Sequence, residues 1–568
     1  MNKTPGPRDF LWLCLFVIFI TLQPFFLEHE IIMMETGIHL PAINVLFHGA
    51  LPYRDFFFLR GPLELYVPAL MIWAGGMNMI FLPVFYYLGT VATLLFCVLI
   101  GRYLFRSRWI FYLMVVVLVA RTFPRIAYYY WGGMRYAVGF AALSFGLLYF
   151  KTQKKRWMFV AGIISALALL TSLESGVCTV AAFVGALGFA WVFQPEQRKH
   201  TLQAIGQYVL GLFLIITPYL AYLAVTDALK PFLETMYTVV RFNHVAYPGE
   251  YGAKPETLQD WFLAFWPGSR YFKYLTPAFC FLFFAGYIVQ EIRRKRLSNT
   301  HVFLVGMAVY GLILYLAAFR KIEGHHFEMA LQAEKFLLFF LFEEMFFFFQ
   351  SVKAKQKLQL KLLALGETGL NWQKAKLLAI NFIFFAFVIS SLGFSIQRFE
   401  RRFTVVKWVK KNIFHQRVEG ISLLEKEETE VLRLKRADGM IVPRWQAQEI
   451  REVVRFLEDN TRSDEPVFTY PELGNFNFWA DRPFVGRFPI ATFTWMSDPW
   501  HRELLADFQK TRPRYVIMTN LGHRTFPDKW YFRNPQNRER FNTFTKLILD
   551  NYEPVKAFES VSIYKRKM

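Results

Sequence analysis

A chain of 568 residues that is 55% hydrophobic and 19% aromatic, with a mean hydropathy of +0.27, is too apolar for a soluble protein of ordinary composition. Its net charge of +22 comes from short basic clusters set between apolar runs, the pattern of membrane topology rather than of a nucleic-acid surface. The four cysteines, Cys14, Cys97, Cys178 and Cys280, lie inside apolar runs, so none is placed to form a disulfide in a water-exposed domain.

Taken in order, the chain opens with Lys3 and Arg8 ahead of an apolar run from Phe10 to Leu27 that lacks a small-residue cleavage site, which reads as an uncleaved signal anchor. Runs of spanning length follow the first, near 10–28, at 79–100, 109–121, 135–150, 157–173, 177–194, 206–226, 272–290, 302–318, 329–350 and 379–396. The expectation is an α-helical polytopic membrane protein of about 11 transmembrane helices. With the N-terminus inside, the connections 101–108, 151–156, 194–200, 291–298 and 351–376 are inner and hold most of the short-loop Lys and Arg. The opposite phase violates the positive-inside rule. The outer connections are then 29–78, 121–135, 173–175, 227–271 and 319–328, and residues 397–568 also lie outside.

That last segment has ordinary soluble composition. A helical pattern at Gln446–Leu457, β-type runs at Pro466–Tyr470 and Tyr515–Thr519, a second helical pattern at Phe541–Leu549 and a strand near Ser560–Tyr564 predict a C-terminal soluble α/β domain. It has no GxGxxG, P-loop, HExxH or CxxC motif.

The charged constellations that are not topogenic gather on the outer side, above all in the stretch from Glu28 to Leu65, which holds Glu35, His39, His48, Arg54, Asp55, Arg60 and Glu64 among turn-forming Gly and Pro. Charge beside a bilayer is costly unless paired or used. A carboxylate there gains basicity by desolvation and can serve as a general base, and a guanidinium offers a planar fork matching phosphate oxygens. The bland readings are a helix cap for Glu35, an ion pair with Arg54 or Arg60 for Asp55, an interfacial anchor for Arg60 and a turn for Glu174. His325 and His326 with Glu323 make a poor metal site, because adjacent histidines do not easily share one ion on a regular helix. Tyr128 to Trp131 reads as an interfacial belt. Glu334, Glu343 and Glu344 are expected to face the bundle interior.

The acidic Glu35-Thr36-Gly37 just after the first helix, the pattern G-x-x-x-Y-x-D from Gly49 to Asp55, and the box Arg60-Gly61-Pro62-Leu63 resemble the membrane glycosyltransferases of the GT-C fold. The resemblance is narrower to the bacterial relatives of protein O-mannosyltransferases and lipid A aminoarabinose transferases. It covers about residues 10–200 well, the remaining helices loosely and 397–568 slightly. Glu35 stands where Asp is usual, Arg60-Gly61 where Lys-Pro is usual, and Asp55 is a second acid that competes for the role of base.

The resemblance implies a GT-C-like catalytic domain over 1–396 and an extracytoplasmic α/β domain over 397–568, in a bacterial plasma membrane. It further implies transfer of a sugar, with inversion, from a polyprenyl-phosphate donor to an acceptor hydroxyl on a glycan, lipid or protein. Glu35, with Asp55, orients or deprotonates the acceptor. Arg60, with Arg320, Lys321 and His325, holds the donor phosphate, while Arg54, Glu174, Arg241, His244 and Glu323 line the substrates. The long 227–271 loop closes over the donor. No metal ligand set is assigned, and a divalent cation is left open. A transporter or flippase of lipid-linked sugars and a non-catalytic envelope scaffold are the alternatives. A transporter would place polar residues at midplane depth, whereas here they gather at one face.

Overall fold

The computed structural model describes residues 4–22, 27, 30–122, 133–246, 257–263, 272–318, 332–360, 404–418 and 427–568, the last with breaks at 495, 521, 524–531 and 533, and positions 382, 385, 386, 388, 389 and 424. Helix α1 (Pro7–Thr21) begins with Pro at its start, where the missing N–H costs nothing, and Asp9 accepts the Gly6 N–H at 2.8 Å. It ends at Thr21, where Leu22 turns to an extended ψ of 126°; residues 23–26 and 28 of the expected run lie outside the described residues.

The expected outer segment 29–78 is not a plain loop. It folds as two short helices, α2 (Met33–Gly37) and α3 (Leu40–Phe47), a tight turn, and the apolar α4 (Leu63–Ala74). The bundle follows as α5 (Phe81–Leu104), α6 (Arg108–Thr122), α7 (Gly133–Thr152), α8 (Lys155–Thr171), α9 (Leu173–Phe193) and α10 (Arg198–Val225). Next come α11 (Leu229–Ala246), the short α12 (Leu258–Leu263), α13 (Phe272–Arg293), α14 (Asn299–Ala318) and α15 (Gln332–Leu360). Among the described residues, Phe81–Leu104, Leu173–Phe193, Pro195–Val225 and Asn299–Ala318 are long and apolar enough to cross a membrane, which makes the protein multi-pass. The eleventh expected run, 379–396, lies outside the described residues except at 382, 385, 386, 388 and 389.

Small residues let the helices close on one another. A Cβ on Gly162 of α8 would sit 2.2 Å from the Tyr208 carbonyl oxygen of α10, and one on Gly211 would sit 2.2 Å from that of Phe159, so both glycines are required by backbone approach. At the far end of the bundle, buried Glu343 of α15 accepts the Arg106 N–H at 2.9 Å and the Ser107 N–H at 2.7 Å, donors left open just ahead of α6. The Arg106 guanidinium pairs with both Glu343, at 3.5 Å, and Glu344. These two acids therefore anchor the α5–α6 turn from the bundle interior.

After α16 (Thr404–Asn412), a C-terminal unit begins with an antiparallel hairpin, β1 (Thr429–Leu432) and β2 (Met440–Pro443). Then come α17 (Arg444–Asn460), β3 (Phe468–Tyr470), α18 (Asn475–Trp479), α19 (Asp498–Thr511), β4 (Tyr515–Thr519), α20 (Pro535–Asn551), β5 (Tyr552–Ala557) and β6 (Val561–Arg566). The sheet order is β3-β4-β6-β5, with β3 and β4 parallel and the other pairs antiparallel. Every residue of β4 is buried, as a central strand covered on both faces requires. Ser497 and Asn534 cap α19 and α20 by accepting N–H groups of their first turns.

This unit is built onto the first outer segment. Gln446 holds the Ile31 backbone, Phe57 N–H donates to the Arg487 carbonyl at 2.6 Å, and Asn475 donates to the Met33 carbonyl at 3.1 Å. Arg436 reaches from the β1–β2 connection to Asn44 Oδ1 at 2.6 Å, the Phe478 carbonyl at 3.0 Å and Asp481 at 2.8 Å. Phe57 itself joins the core of the C-terminal unit, edge-on to Trp500 at 4.7 Å. The bundle, the first outer segment and the hairpin face share one continuous apolar core.

Candidate active site

The Arg-Gly-Pro-Leu box sits where α4 starts and is positioned from two sides. On one side Tyr53, held at φ 70° in the left-handed region and fully buried, donates its hydroxyl to the Arg60 carbonyl at 2.8 Å, and its ring lies edge-on to Phe232 at 4.9 Å. A buried aromatic in that conformation persists only where its surroundings impose it. On the other side the Gly61 N–H donates to the Thr171 carbonyl at 3.2 Å, and a Cβ on Gly61 would lie 2.3 Å from the Leu170 carbonyl oxygen. The glycine is thus what lets the box lie against the α8–α9 turn. There Ser172 caps α9, and Glu174, exposed, occupies its first turn.

The Arg60 guanidinium, 17% exposed, pairs with Glu64 at 3.0 Å, and Glu64 is fully buried. Its carboxylate lies in the first turn of α4, where the helix dipole favours negative charge. From α7, Arg135 stacks over Tyr136 at 5.1 Å, and its carbonyl accepts the Ser175 hydroxyl at 2.7 Å. Tyr136 lies within electrostatic reach of Arg135, Glu174 and Glu64 together. Four elements therefore converge here, the α4 start, the α7 start, the α8–α9 turn and the Tyr53 turn. Arg60, Glu64, Arg135 and Glu174 are their charged members.

The other expected residues divide sharply. Asp55 is exposed and bound bidentately by Arg54, at 2.7 and 2.8 Å, and it also accepts the Leu51 N–H at 2.8 Å. The Arg54 hydrogen bonds hold its carboxyl below the usual carboxylate range, which makes it a weak base. Arg54 also donates to the Thr226 carbonyl at 3.3 Å, tying the turn to the end of α10. Arg241 is exposed on α11 and donates to the Tyr237 hydroxyl at 2.9 Å. The backbones of Glu35 and His244 lie in α2 and α11, while their side chains fall outside the described residues. Arg320, Lys321, Glu323 and His325, with His326, Arg125 and Tyr128 to Trp131, lie outside them altogether. Among the described residues no group of three His, Cys, Asp or Glu side chains is arranged to hold a metal.

The scaffold around Glu35 is nevertheless defined. His39, at the start of α3, is fully buried between Phe58 and Tyr86 at 5.5 and 5.6 Å, and the Tyr86 hydroxyl lies 2.9 Å from its Nδ1. Gly37 and Pro41 lie against Glu472, Gly474 and Asn475 of the C-terminal unit. Glu64 belongs to the charged constellation legible in the sequence but carries no role there, and Arg135 was not singled out. The one available signal for Glu64 was its spacing of four from Arg60, which reads equally as an ordinary helix pair.

No protein-family model and no curated protein sequence matches this chain. Solved structures do. ArnT from Cupriavidus metallidurans bound to undecaprenyl phosphate superposes with a TM-score of 0.51 at 11% identity, covering 98% of this chain and 97% of that one. The same protein in the apo state gives 0.50 at 12% identity, over 98% and 96% of the two chains. The archaeal oligosaccharyltransferase AglB from Archaeoglobus fulgidus, in complex with an inhibitory peptide and a dolichol-phosphate, superposes with a TM-score of 0.45 at 11% identity, over 90% of this chain and 69% of that one. The ArnT likeness runs nearly end to end in both chains, C-terminal unit included, and establishes the GT-C fold.

Proposed function

We propose that the protein is a glycosyltransferase that takes a sugar from a polyprenyl-phosphate donor and passes it to an acceptor hydroxyl at the outer face of the membrane. The observation that carries this reading is the near full-length likeness of fold to a structure bound to undecaprenyl phosphate. It is supported by the convergence of Arg60, Glu64, Arg135 and Glu174 at the one end of the bundle where the first outer segment sits. Residues 1–396 form the catalytic membrane domain, and 397–568 a domain that covers the site from outside. The N-terminus is cytoplasmic, and the membrane is the bacterial plasma membrane.

In this reading Glu35 is the base. The acceptor hydroxyl attacks the anomeric carbon as its proton passes to the Glu35 carboxylate, and the carbon–oxygen bond to the donor phosphate breaks with inversion. The departing lipid phosphate carries the negative charge. Arg60 neutralises it, joined by Arg320, Lys321 and His325, in the manner of preorganised electrostatic stabilisation. The pairing of Asp55 with Arg54 leaves it a part in fixing the turn rather than in proton transfer. Arg54, Glu174, Arg241, His244 and Glu323 line the substrates.

A transfer assay on purified protein in lipid tests the proposal, with radiolabelled polyprenyl-phosphate sugars as donors and envelope extract as acceptor, beside Glu35→Gln and Arg60→Ala. Turnover by the wild type that vanishes in folded Glu35→Gln is the expected result. Donor binding without transfer or hydrolysis, for every sugar tried, would instead favour carriage of the lipid-linked sugar across the membrane.

A further inference from the structure

The Arg60–Glu64 pair is asymmetric. Glu64 Oε2 receives the Arg60 guanidinium at 3.0 Å, while Glu64 Oε1, in a side chain with no exposed surface, has no hydrogen-bond partner among the described residues. An unmatched polar atom of a buried carboxylate is costly, by roughly 1–3 kcal/mol or more, and native structures rarely keep one without a reason. Glu64 stands one turn beyond Gly61, at the meeting of α4, the α7 start and the α8–α9 turn, and Tyr136 feels its charge together with those of Arg135 and Glu174. The unsatisfied oxygen is buried within the charged convergence, so a ligand meets it only as the α4 start and its neighbours part.

We infer that Glu64 Oε1 is the hydrogen-bond acceptor for a hydroxyl or amino group on the sugar ring of the donor, making Glu64 a specificity-determining residue beside the phosphate-binding Arg60. This rests on the transferase reading above. One side chain then serves both halves of the donor. Its Oε2 orients the guanidinium that meets the phosphate, and its Oε1 reads a ring substituent that the sugar-free carrier lipid lacks. A charged acceptor makes the stronger class of hydrogen bond. A sugar without that donor would leave the carboxylate oxygen as unmatched as it is without ligand, which is the arrangement that discriminates best between a sugar and its deoxy analogue.

The experiment uses the full-length protein in lipid nanodiscs and three probes, namely undecaprenyl phosphate alone, an undecaprenyl-phosphate sugar that the wild type transfers, and singly deoxygenated versions of that sugar. The wild type is expected to lose about 10- to 100-fold in kcat/KM for one deoxy donor, the size of a charge-assisted hydrogen bond. That arm needs no variant. Glu64→Gln is expected to lose a similar factor on the parent donor, to lose little more on the critical deoxy donor, and to weaken undecaprenyl phosphate alone by clearly less than it weakens the donor. Equal use of every deoxy donor by the wild type would overturn the inference. So would a Glu64→Gln variant that weakens the sugar-free lipid as much as the donor, which would make Glu64 a prop for Arg60 alone, or an effect confined to the KM of the acceptor. A wild type that transfers from no donor sinks the transferase reading and this inference with it, whereas the preceding outcomes sink this inference alone.

Discussion

The side-chain amide of Gln446 closes a two-way hydrogen bond on the backbone of Ile31, accepting its N–H at 2.9 Å and donating to its carbonyl at 3.2 Å. Both residues are buried, and the contact substitutes for a strand partner two residues ahead of the helix that carries Glu35. Gln446→Leu leaves two buried backbone groups unmatched and should cost on the order of 2–4 kcal/mol. Hydrogen exchange checks it, with the Ile31 amide expected to lose protection while amides of α9 keep theirs. Transfer should fall with it, because α2 loses its support.

Gly61→Ala should be far worse than an ordinary glycine substitution. The new methyl would lie 2.3 Å from the Leu170 carbonyl oxygen, which is backbone and cannot turn aside. The α4 start would have to lift off the α8–α9 turn, moving Arg60 and Glu64 with it. A turnover loss of more than about 100-fold is expected, since misplacement by about 1 Å is enough for that; far-ultraviolet circular dichroism should meanwhile show the bundle helices intact.

Asp55→Asn should leave kcat within a few fold of the wild type, whereas Glu35→Gln should abolish it. The Arg54 pairing holds the Asp55 carboxyl below the usual carboxylate range and so lowers its basicity. Loss of the pair at the exposed turn costs little, about 0–1 kcal/mol. Kinetics of the two variants side by side decide between the carboxylates.

His501 makes the C-terminal unit sensitive to acid. Burial, with Arg540 nearby, lowers its pKa to about 4, and its Nε2 has no hydrogen-bond partner among the described residues. The unfolded chain binds a proton near pH 6.5, the folded one only near 4, so stability falls as pH drops through that window and is complete above it. The loss at the bottom of the window is on the order of 3 kcal/mol. Urea midpoints of the full-length protein at pH 7 and pH 5 should separate, and His501→Leu should bring them together.

Glu343→Ala removes the acceptor of the Arg106 and Ser107 N–H groups and leaves the Arg106 guanidinium with half its counter-charge. About 1–3 kcal/mol of stability should go, the cost of leaving a buried N–H without its acceptor, since the half-exposed Arg106 guanidinium is still solvated. Thermal melting in detergent reads it directly. Glu343→Gln, which keeps an acceptor, should lose less than half as much.

The bundle was largely legible in the sequence, because an apolar run long enough to span leaves few alternatives. Thus 79–100 became Phe81–Leu104 and 302–318 became Asn299–Ala318, each within a few residues. The alternating elements at Tyr515–Thr519 and Phe541–Leu549 were also found, since burial writes its own period. The hairpin of β1 and β2 was missed, because four-residue strands carry too little pattern to stand out. Glu343 and Glu344 looked misplaced in lipid, and only the fold supplies the amides that explain the first of them. What no local pattern encodes is that Gln446, Arg436, Asn475 and Arg487 belong to the first outer segment. Those partners are fixed by shape, not by spacing.

That last relationship bears on how the protein is made. Ile31 and Gln446 are 415 residues apart, and Asn475 and Met33 are 442 apart. At roughly 5–20 residues per second, tens of seconds separate the synthesis of the first segment from that of its clamp. The helices can enter the bilayer one after another as they emerge, but the segment bearing Glu35 must wait, half-formed, until nearly the whole chain has been translated. Synthesis of the C-terminal unit through Arg487 is therefore the event that lets the first outer segment take up these contacts.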